Sequence, residues 1–187
     1  MQQNQVSQIP EPPLSRLLFA DTRVAWLWLI IRLYVGWQWL EAGWSKLGSP
    51  AWTGNQTGAA LQGFLNGALA KTAGAHPDVQ GWYAVFLKGF VMNHAASFSY
   101  LVTYGELLVG LALILGVFTG IAAFFGAFMN MNYLFAGTVS VNPLLFLLGL
   151  FLILAWRIAG WYGLDRFVLP RFGTPWQPGR TFTKAGG

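Results

Sequence analysis

Charged residues are scarce in this sequence of 187 amino acids. Only 9% of the residues are charged, whereas an average soluble domain has about 25%. From Ala95 to Trp156 the only formally charged residue is Glu106. A soluble protein needs charged and polar side chains to cover its surface. The composition therefore excludes an ordinary soluble domain and a disordered chain, and it predicts an integral membrane protein.

Cysteine is absent from the chain. The chain therefore forms no disulfide, no thiolate metal site and no cysteine-held iron–sulfur cluster. One histidine in or near the apolar segments cannot supply bis-histidine haem ligation. We expect no metal site and no covalently bound cofactor. The net charge is +5, but the sequence has no long cluster of basic residues. We therefore expect no nucleic-acid partner and place the excess Lys and Arg in loops and tails.

Four apolar segments are long enough to cross the roughly 30 Å hydrocarbon layer of a bilayer as helices. We therefore predict an all-α integral membrane protein, built as a four-transmembrane-helix bundle in one membrane domain over residues 24–164. Thr119–Gly120 is the predicted turn between the second and third spans. The predicted spans cover approximately residues 24–47, 95–118, 119–139 and 143–162.

The outer loop 48–94 and the two tails decide the predicted orientation. Within the loop, the stretches 58–71 and 81–92 have apolar residues at roughly helical spacing, which predicts short amphipathic helices on the outer face of the bundle. Residues 1–23 and 157–187 together hold seven Lys and Arg, whereas the loop holds two, with Lys46 at its edge. Positive charge favours the cytoplasmic side. We therefore predict a multi-pass cell-membrane protein with cytoplasmic tails at 1–23 and 165–187.

Ionisable side chains inside a membrane are costly and need partners in the protein interior. Arg32 lies about 12 Å and Glu106 about 18 Å from the cytoplasmic edge of their predicted helices. These depths overlap within the error of the boundaries, so we predict a buried ion pair beside Asn130 on the third span. Asn132 points about 160° away from Asn130, so only one of the two joins this intramembrane site on an ideal helix. The cluster is either a structural knot between helices or a polar pocket for a ligand, a quinone headgroup or a proton path.

A second group of polar residues is predicted at the outer mouth of the bundle. His94 could donate a hydrogen bond to a quinone carbonyl or transfer a proton. The alternative is an interfacial histidine that is simply hydrated. The members of this group are Glu41, Lys46, His94 and Asn142.

Three stretches of the chain carry motifs in a recognisable order. Residues 31–47 contain an arginine and end in a small-x-x-Lys turn, 104–143 contain Gly-Glu-Leu-Leu and then the asparagines, and 160–170 contain Gly-Leu-Asp. This order resembles the DoxX family of small four-helix bacterial and archaeal membrane proteins, to which the DoxD subunit of thiosulfate:quinone oxidoreductase is related. The resemblance covers about residues 24–172. The residues that match the polar positions of the family are Arg32, Lys46, Glu106, Asn130 and Asn132.

The resemblance implies a membrane subunit of a quinone-linked redox system. A thiosulfate:quinone oxidoreductase would be one such system, with quinone as the non-covalent cofactor and a second redox subunit as partner. An enzymatic role would then be oxidation of a sulfur compound with quinone as acceptor, without a cysteine persulfide on this chain. Because no complete catalytic constellation is present, a non-catalytic scaffold or anchor for a peripheral redox or assembly partner stays open as the alternative, as does a small-molecule or lipid carrier. Besides the lipid bilayer, a homo-oligomer is compatible with the sequence.

Overall fold

The computed structural model describes residues 10–174 and 177–183, and most of these residues are helical. This confirms the predicted all-α class. A two-residue hairpin, β1 (Gly173–Thr174) with β2 (Gln177–Pro178), pairs antiparallel. The α-helices are α1 Pro13–Ala20, α2 Ala25–Leu47, α3 Pro50–Thr53, α4 Ala59–Leu69, α5 Gly81–Phe86, α6 Ala95–Leu115, α7 Thr119–Phe135, α8 Asn142–Leu154, α9 Trp156–Ala159, α10 Asp165–Phe172 and α11 Arg180–Thr183.

Membrane-length helices are fewer than the four predicted. Among the described residues, one continuous helical segment, Gly81–Leu115, is both long and apolar enough to cross a membrane. α8 is apolar but shorter. α7 has 17 residues, and α2 has 23 residues but includes two cations and one acidic residue. The four spans therefore stay a prediction.

The turn between α6 and α7 differs from the one predicted at Thr119–Gly120. The chain turns at residues 116–118 instead, and Thr119 and Gly120 lie in the first turn of α7. Gly116 takes φ +66°, and its backbone N–H bonds to the carbonyl of Ala112, which ends α6. Glycine adopts this left-handed conformation without a steric penalty. Phe118 also has a positive φ, of +47°.

Glycines fix the antiparallel register of α2 against α6. A Cβ added at Gly110 would lie 2.5 Å from the backbone nitrogen of Leu40, and one added at Gly43 would lie 3.1 Å from the Cβ of Glu106. Gly36 lies against the turn of α6 that follows Gly110. Such small residues let two helix backbones approach closely. The register places Glu106 level with Gly43, in the second half of α2.

The segment between α2 and α6 is a packed cap of helices. α4 continues into a 3₁₀ turn, Ala70–Thr72, close to the predicted stretch 58–71. The second predicted amphipathic helix is not separate: α5 runs through a π-helical turn, Leu87–Val91, and a 3₁₀ turn, Met92–His94, directly into α6. This stretch contains Gly89 and Asn93 but no proline, and the helix continues through both turns. The buried apolar side chains of this cap are Leu61, Leu65, Ala68, Val79, Tyr83, Leu87 and Val91, packed with Ala136.

The predicted C-terminal tail begins as folded structure. α10, the hairpin and α11 account for its described residues, and Asp165 at the start of α10 is buried. The predicted N-terminal tail 1–23 also contains folded structure, namely α1. Residues 1–9, 175–176 and 184–187 of the two tails lie outside the described residues.

Candidate functional site

The Glu106 carboxylate is buried between two hydrogen-bond donors. The Lys46 ammonium donates to Glu106 Oε2 at 2.7 Å, and the Tyr133 hydroxyl donates to Oε1 at 2.7 Å. Lys46 Nζ also donates to the carbonyl of Ala42 at 3.2 Å. Each carboxylate oxygen therefore has its own donor, and the adjacent ammonium compensates the negative charge.

The local structure explains why a lysine at the end of α2 reaches this carboxylate. Side chains on an α-helix lean toward its N-terminus. The ammonium of Lys46, in the last turn of α2, therefore returns to the level of Ala42, one residue before the close contact between Gly43 and Glu106. Tyr133 lies on α7 and reaches the other carboxylate oxygen.

A cavity of about 490 Å³ adjoins this triad. Lys46, Glu106 and Tyr133 line it, and Trp39, Trp52 and Phe64 contribute aromatic rings to its walls. The Lys46 ammonium also lies 5.2 Å from the centroid of the Trp52 ring. The arrangement can hold a flat molecule with hydrogen-bond acceptors and exchange protons with it. Further polar residues of the lining are Gln38, Glu41, Ser45, Thr138, Ser140 and Asn142.

The predicted ion pair between Arg32 and Glu106 is wrong. Arg32 Nη2 donates to the carbonyl of Tyr162 at 3.1 Å, and the guanidinium lies against Gly116 and Gly163. Gly116 is ten residues from Glu106 along the chain, about 15 Å at the rise of an α-helix. The prediction placed Arg32 and Glu106 at overlapping depths in the membrane. It was wrong because α6 ends at Leu115 and because the glycine contacts set Glu106 opposite Gly43.

Asp165 occupies the position near Arg32 that the prediction gave to Glu106. Asp165 Oδ1 accepts from the backbone N–H of Phe118 at 2.6 Å, and Oδ2 accepts from that of Thr119 at 2.9 Å. Its own N–H donates to the carbonyl of Gly116 at 2.7 Å. The carboxylate thus caps α7 from a distant segment and attracts the buried Arg32 guanidinium. We call this arrangement of Arg32, Gly116 and Asp165 the inner latch.

Asn130 and Asn132 face different neighbours. Asn130 is buried, and within residues 10–174 and 177–183 neither polar atom of its amide has a hydrogen-bond partner. The Asn132 amide donates to the carbonyl of Phe128, and its oxygen accepts from the Tyr83 hydroxyl at 3.1 Å. Neither asparagine hydrogen-bonds to Glu106.

The predicted outer-mouth group is only partly brought together. Glu41, Lys46 and Asn142 line the cavity around Glu106, and Glu106 is the one residue of the predicted intramembrane group in its lining. His94 is not part of it: His94 Nδ1 donates to the carbonyl of Phe90 at 2.8 Å, and its ring lies 5.0 Å from the Phe90 ring.

Sequence reasoning did not assign Tyr133 or Asp165 to a site. Tyr133 shares a helical face with Asn130, which could have indicated it. For Asp165 the signal is the tight turn before α7, which lacks a Ser, Thr, Asn or Asp cap and therefore needs an acceptor from elsewhere. In the part of the chain that the structure describes, no group of three or more His, Asp or Glu side chains is placed to hold a metal ion.

Residues 27–139 match the family model named DoxX. The chain belongs to the DoxX family. Membership indicates a membrane protein, and the match includes all three members of the triad Lys46, Glu106 and Tyr133. Asp165 of the inner latch lies outside the matched residues of this DoxX protein. Neither a curated protein nor a solved structure matches the chain.

Proposed function

We propose that this DoxX protein crosses the cell membrane four times, with both termini in the cytoplasm, and binds a quinone in the cavity around Glu106. Four helical segments form the spans. The first is α2, the second is the segment Gly81–Leu115 that ends with α6, the third is α7, and the fourth is α8 together with α9. Their outward side chains support this, because large apolar residues on an aqueous surface would be unfavourable. Exposed examples are Ile30 on α2, Leu108 on α6, Phe124 on α7 and Leu147 on α8.

The observation that carries the quinone proposal is the buried triad on the wall of an aromatic cavity. A quinone ring is flat and has two carbonyl oxygens, each of which accepts hydrogen bonds. Lys46 has one N–H left after its bonds to Glu106 and Ala42 and supplies it to a carbonyl, and Trp39 and Trp52 supply apolar ring faces. Reduction of a quinone to a quinol consumes two electrons and two protons. Glu106 and Tyr133 are placed to exchange the protons.

The chain would serve as the membrane subunit of a quinone-linked redox system. We assign the supply of electrons to a second redox subunit that oxidises a sulfur compound such as thiosulfate. The role of this chain is then to hold the quinone, exclude water and transfer protons.

Equilibrium binding tests the proposal directly. A radiolabelled tailless quinone is titrated into the protein in lipid nanodiscs, with Tyr133→Phe as the test variant and Tyr104→Phe as the matched control. Tyr104 stacks on Tyr100 and does not line the cavity. Tyr133→Phe removes the hydroxyl that holds the Glu106 carboxylate beside the cavity. One hydrogen bond contributes about 0.5–1.5 kcal/mol, so the loss of this positioning should weaken binding roughly 2- to 10-fold. Absence of saturable binding, or equal affinities of the two variants, would contradict the proposal.

A non-catalytic scaffold is the second candidate. Arg157, Arg166 and Arg171 are exposed around α9 and α10 and present positive charge to a peripheral acidic partner. Exchange of these three arginines for glutamine should then abolish recovery of that partner in mild detergent while insertion stays intact. Unchanged recovery would contradict this candidate.

A further inference from the structure

A second cavity, of about 200 Å³, adjoins the one around Glu106. It lies among α4, the helical segment Gly81–Leu115 and α7. Phe64 and Tyr133 line both cavities, and their rings meet edge to face with centroids 6.1 Å apart. The remaining residues common to the two linings are Leu61 and Val102.

The second cavity has an almost entirely apolar lining. Its polar groups are already bonded to other residues: the Tyr83 hydroxyl donates to Asn132, and the Tyr133 hydroxyl donates to Glu106. The side chains left to contact an occupant are aliphatic and aromatic, such as Leu65, Leu87 and Phe98. An occupant of this cavity must therefore be apolar.

The same cavity reaches the apolar surface of the protein. Leu101 of α6 and Phe128 of α7 both line it and are 64% and 51% exposed. In a four-span arrangement these residues face lipid. The cavity therefore connects the hydrocarbon layer, through the space between α6 and α7, with the wall of the polar cavity.

We infer that the second cavity holds the apolar tail of the ligand whose polar ring binds beside Glu106, so that the site accepts an isoprenoid quinone from the membrane between α6 and α7. This inference rests on the proposed quinone function. A dry cavity of about 150 Å³ holds one benzene molecule, so the second cavity accommodates roughly one isoprene unit. The rest of the tail extends past Leu101 and Phe128 into lipid.

Photolabelling tests where the tail lies. The probe is a quinone with a photoreactive diazirine in its first isoprene unit, applied to the protein in nanodiscs, with labelled peptides identified by mass spectrometry. Leu101→Trp fills the mouth of the cavity from an exposed position, so the fold is preserved. Leu108→Trp is the matched control: it lies two turns further along the same helix, is 66% exposed and does not line the cavity.

We expect labelling of residues 87–102 and 128–133 in the unmodified protein and in Leu108→Trp. This labelling should be lost in Leu101→Trp and in the presence of excess tailless quinone. Labels scattered over lipid-facing residues, or equal labelling of the two tryptophan variants, would overturn the inference. If tailless quinone binds saturably but the labels are scattered, the tail site alone is refuted. Absence of saturable binding would refute the proposed function and the tail site together.

Discussion

Lys46 and Glu106 should be strongly coupled in a double-mutant cycle. At 2.7 Å and an effective dielectric constant of about 20, their gross attraction is about 6 kcal/mol. Desolvation of the two charges offsets much of this attraction. Removal of one partner leaves the other buried and alone, which costs about 3–5 kcal/mol of unfolding free energy. The double variant Lys46→Met, Glu106→Leu should cost less than either single variant, so the coupling energy should be at least about 3 kcal/mol.

The two single variants should also differ from each other. The side chain of Lys46 is 18% exposed, whereas that of Glu106 is 2% exposed. After Glu106→Leu the ammonium can reach water at the cavity mouth. After Lys46→Met the carboxylate keeps only the hydrogen bond from Tyr133. Lys46→Met should therefore be the more destabilising change.

Reversible unfolding in mixed SDS micelles measures these free energies. The control is the same cycle on Asp21 and Arg23, which lie 2.6 Å apart but on the protein surface. Exposed pairs contribute little, so this control cycle should show no measurable coupling. Additive effects of Lys46→Met and Glu106→Leu, as in the control, would refute our account of the site.

Three further predictions concern the packing and the inner latch. Gly110→Ala should destabilise the protein by about 1–3 kcal/mol, because the added Cβ meets the backbone of α2. The control is Gly105→Ala on the same helix, whose Cβ meets only Met129 Sδ at 3.4 Å. Equal unfolding free energies of the two variants would contradict the packing. Asp165→Ala should cost about 3–5 kcal/mol of unfolding free energy, because it removes two hydrogen bonds to a buried charge and leaves Arg32 uncompensated. Asp165→Asn should cost less because one acceptor oxygen remains. A reversed order of the two variants in thermal melts would contradict the capping role. Effects of Arg32→Leu and Glu106→Leu on unfolding should add, because the residues lie about 15 Å apart, and a coupling energy in that cycle would show contact.

The sequence predicts the helices better than the contacts between them. The predicted first span 24–47 coincides with α2 at Ala25–Leu47, because apolar length and the loss of apolar residues after Leu47 are local signals. The pairing of Glu106 depends on how far one helix slides against another. Gly43 and Gly110 set that register through backbone contacts, which no single segment reveals.

The lysine and the aspartate show two further limits of sequence reasoning. Lys46 was placed at the outer mouth by its position in the chain, although its side chain reaches back one turn to Glu106. Asp165 was counted in a tail, although it completes a helix end that lies 46 residues earlier at Thr119. Both residues were part of recognisable motifs. Their partners could be identified only from the three-dimensional arrangement.

The π-helical turn Leu87–Val91 sets the rotation of α5 about its axis relative to α6. Such a turn contains one residue more than a plain helical path, and each residue advances an α-helix by about 100°. The extra residue therefore rotates α5 about its axis and brings the Tyr83 hydroxyl to Asn132 on α7. Deletion of Gly89, whose Cβ position is free of neighbours, would restore an ordinary helix and turn Tyr83 away by about 100°. A single-residue insertion in the helix thus orients α5 over the wall of the second cavity.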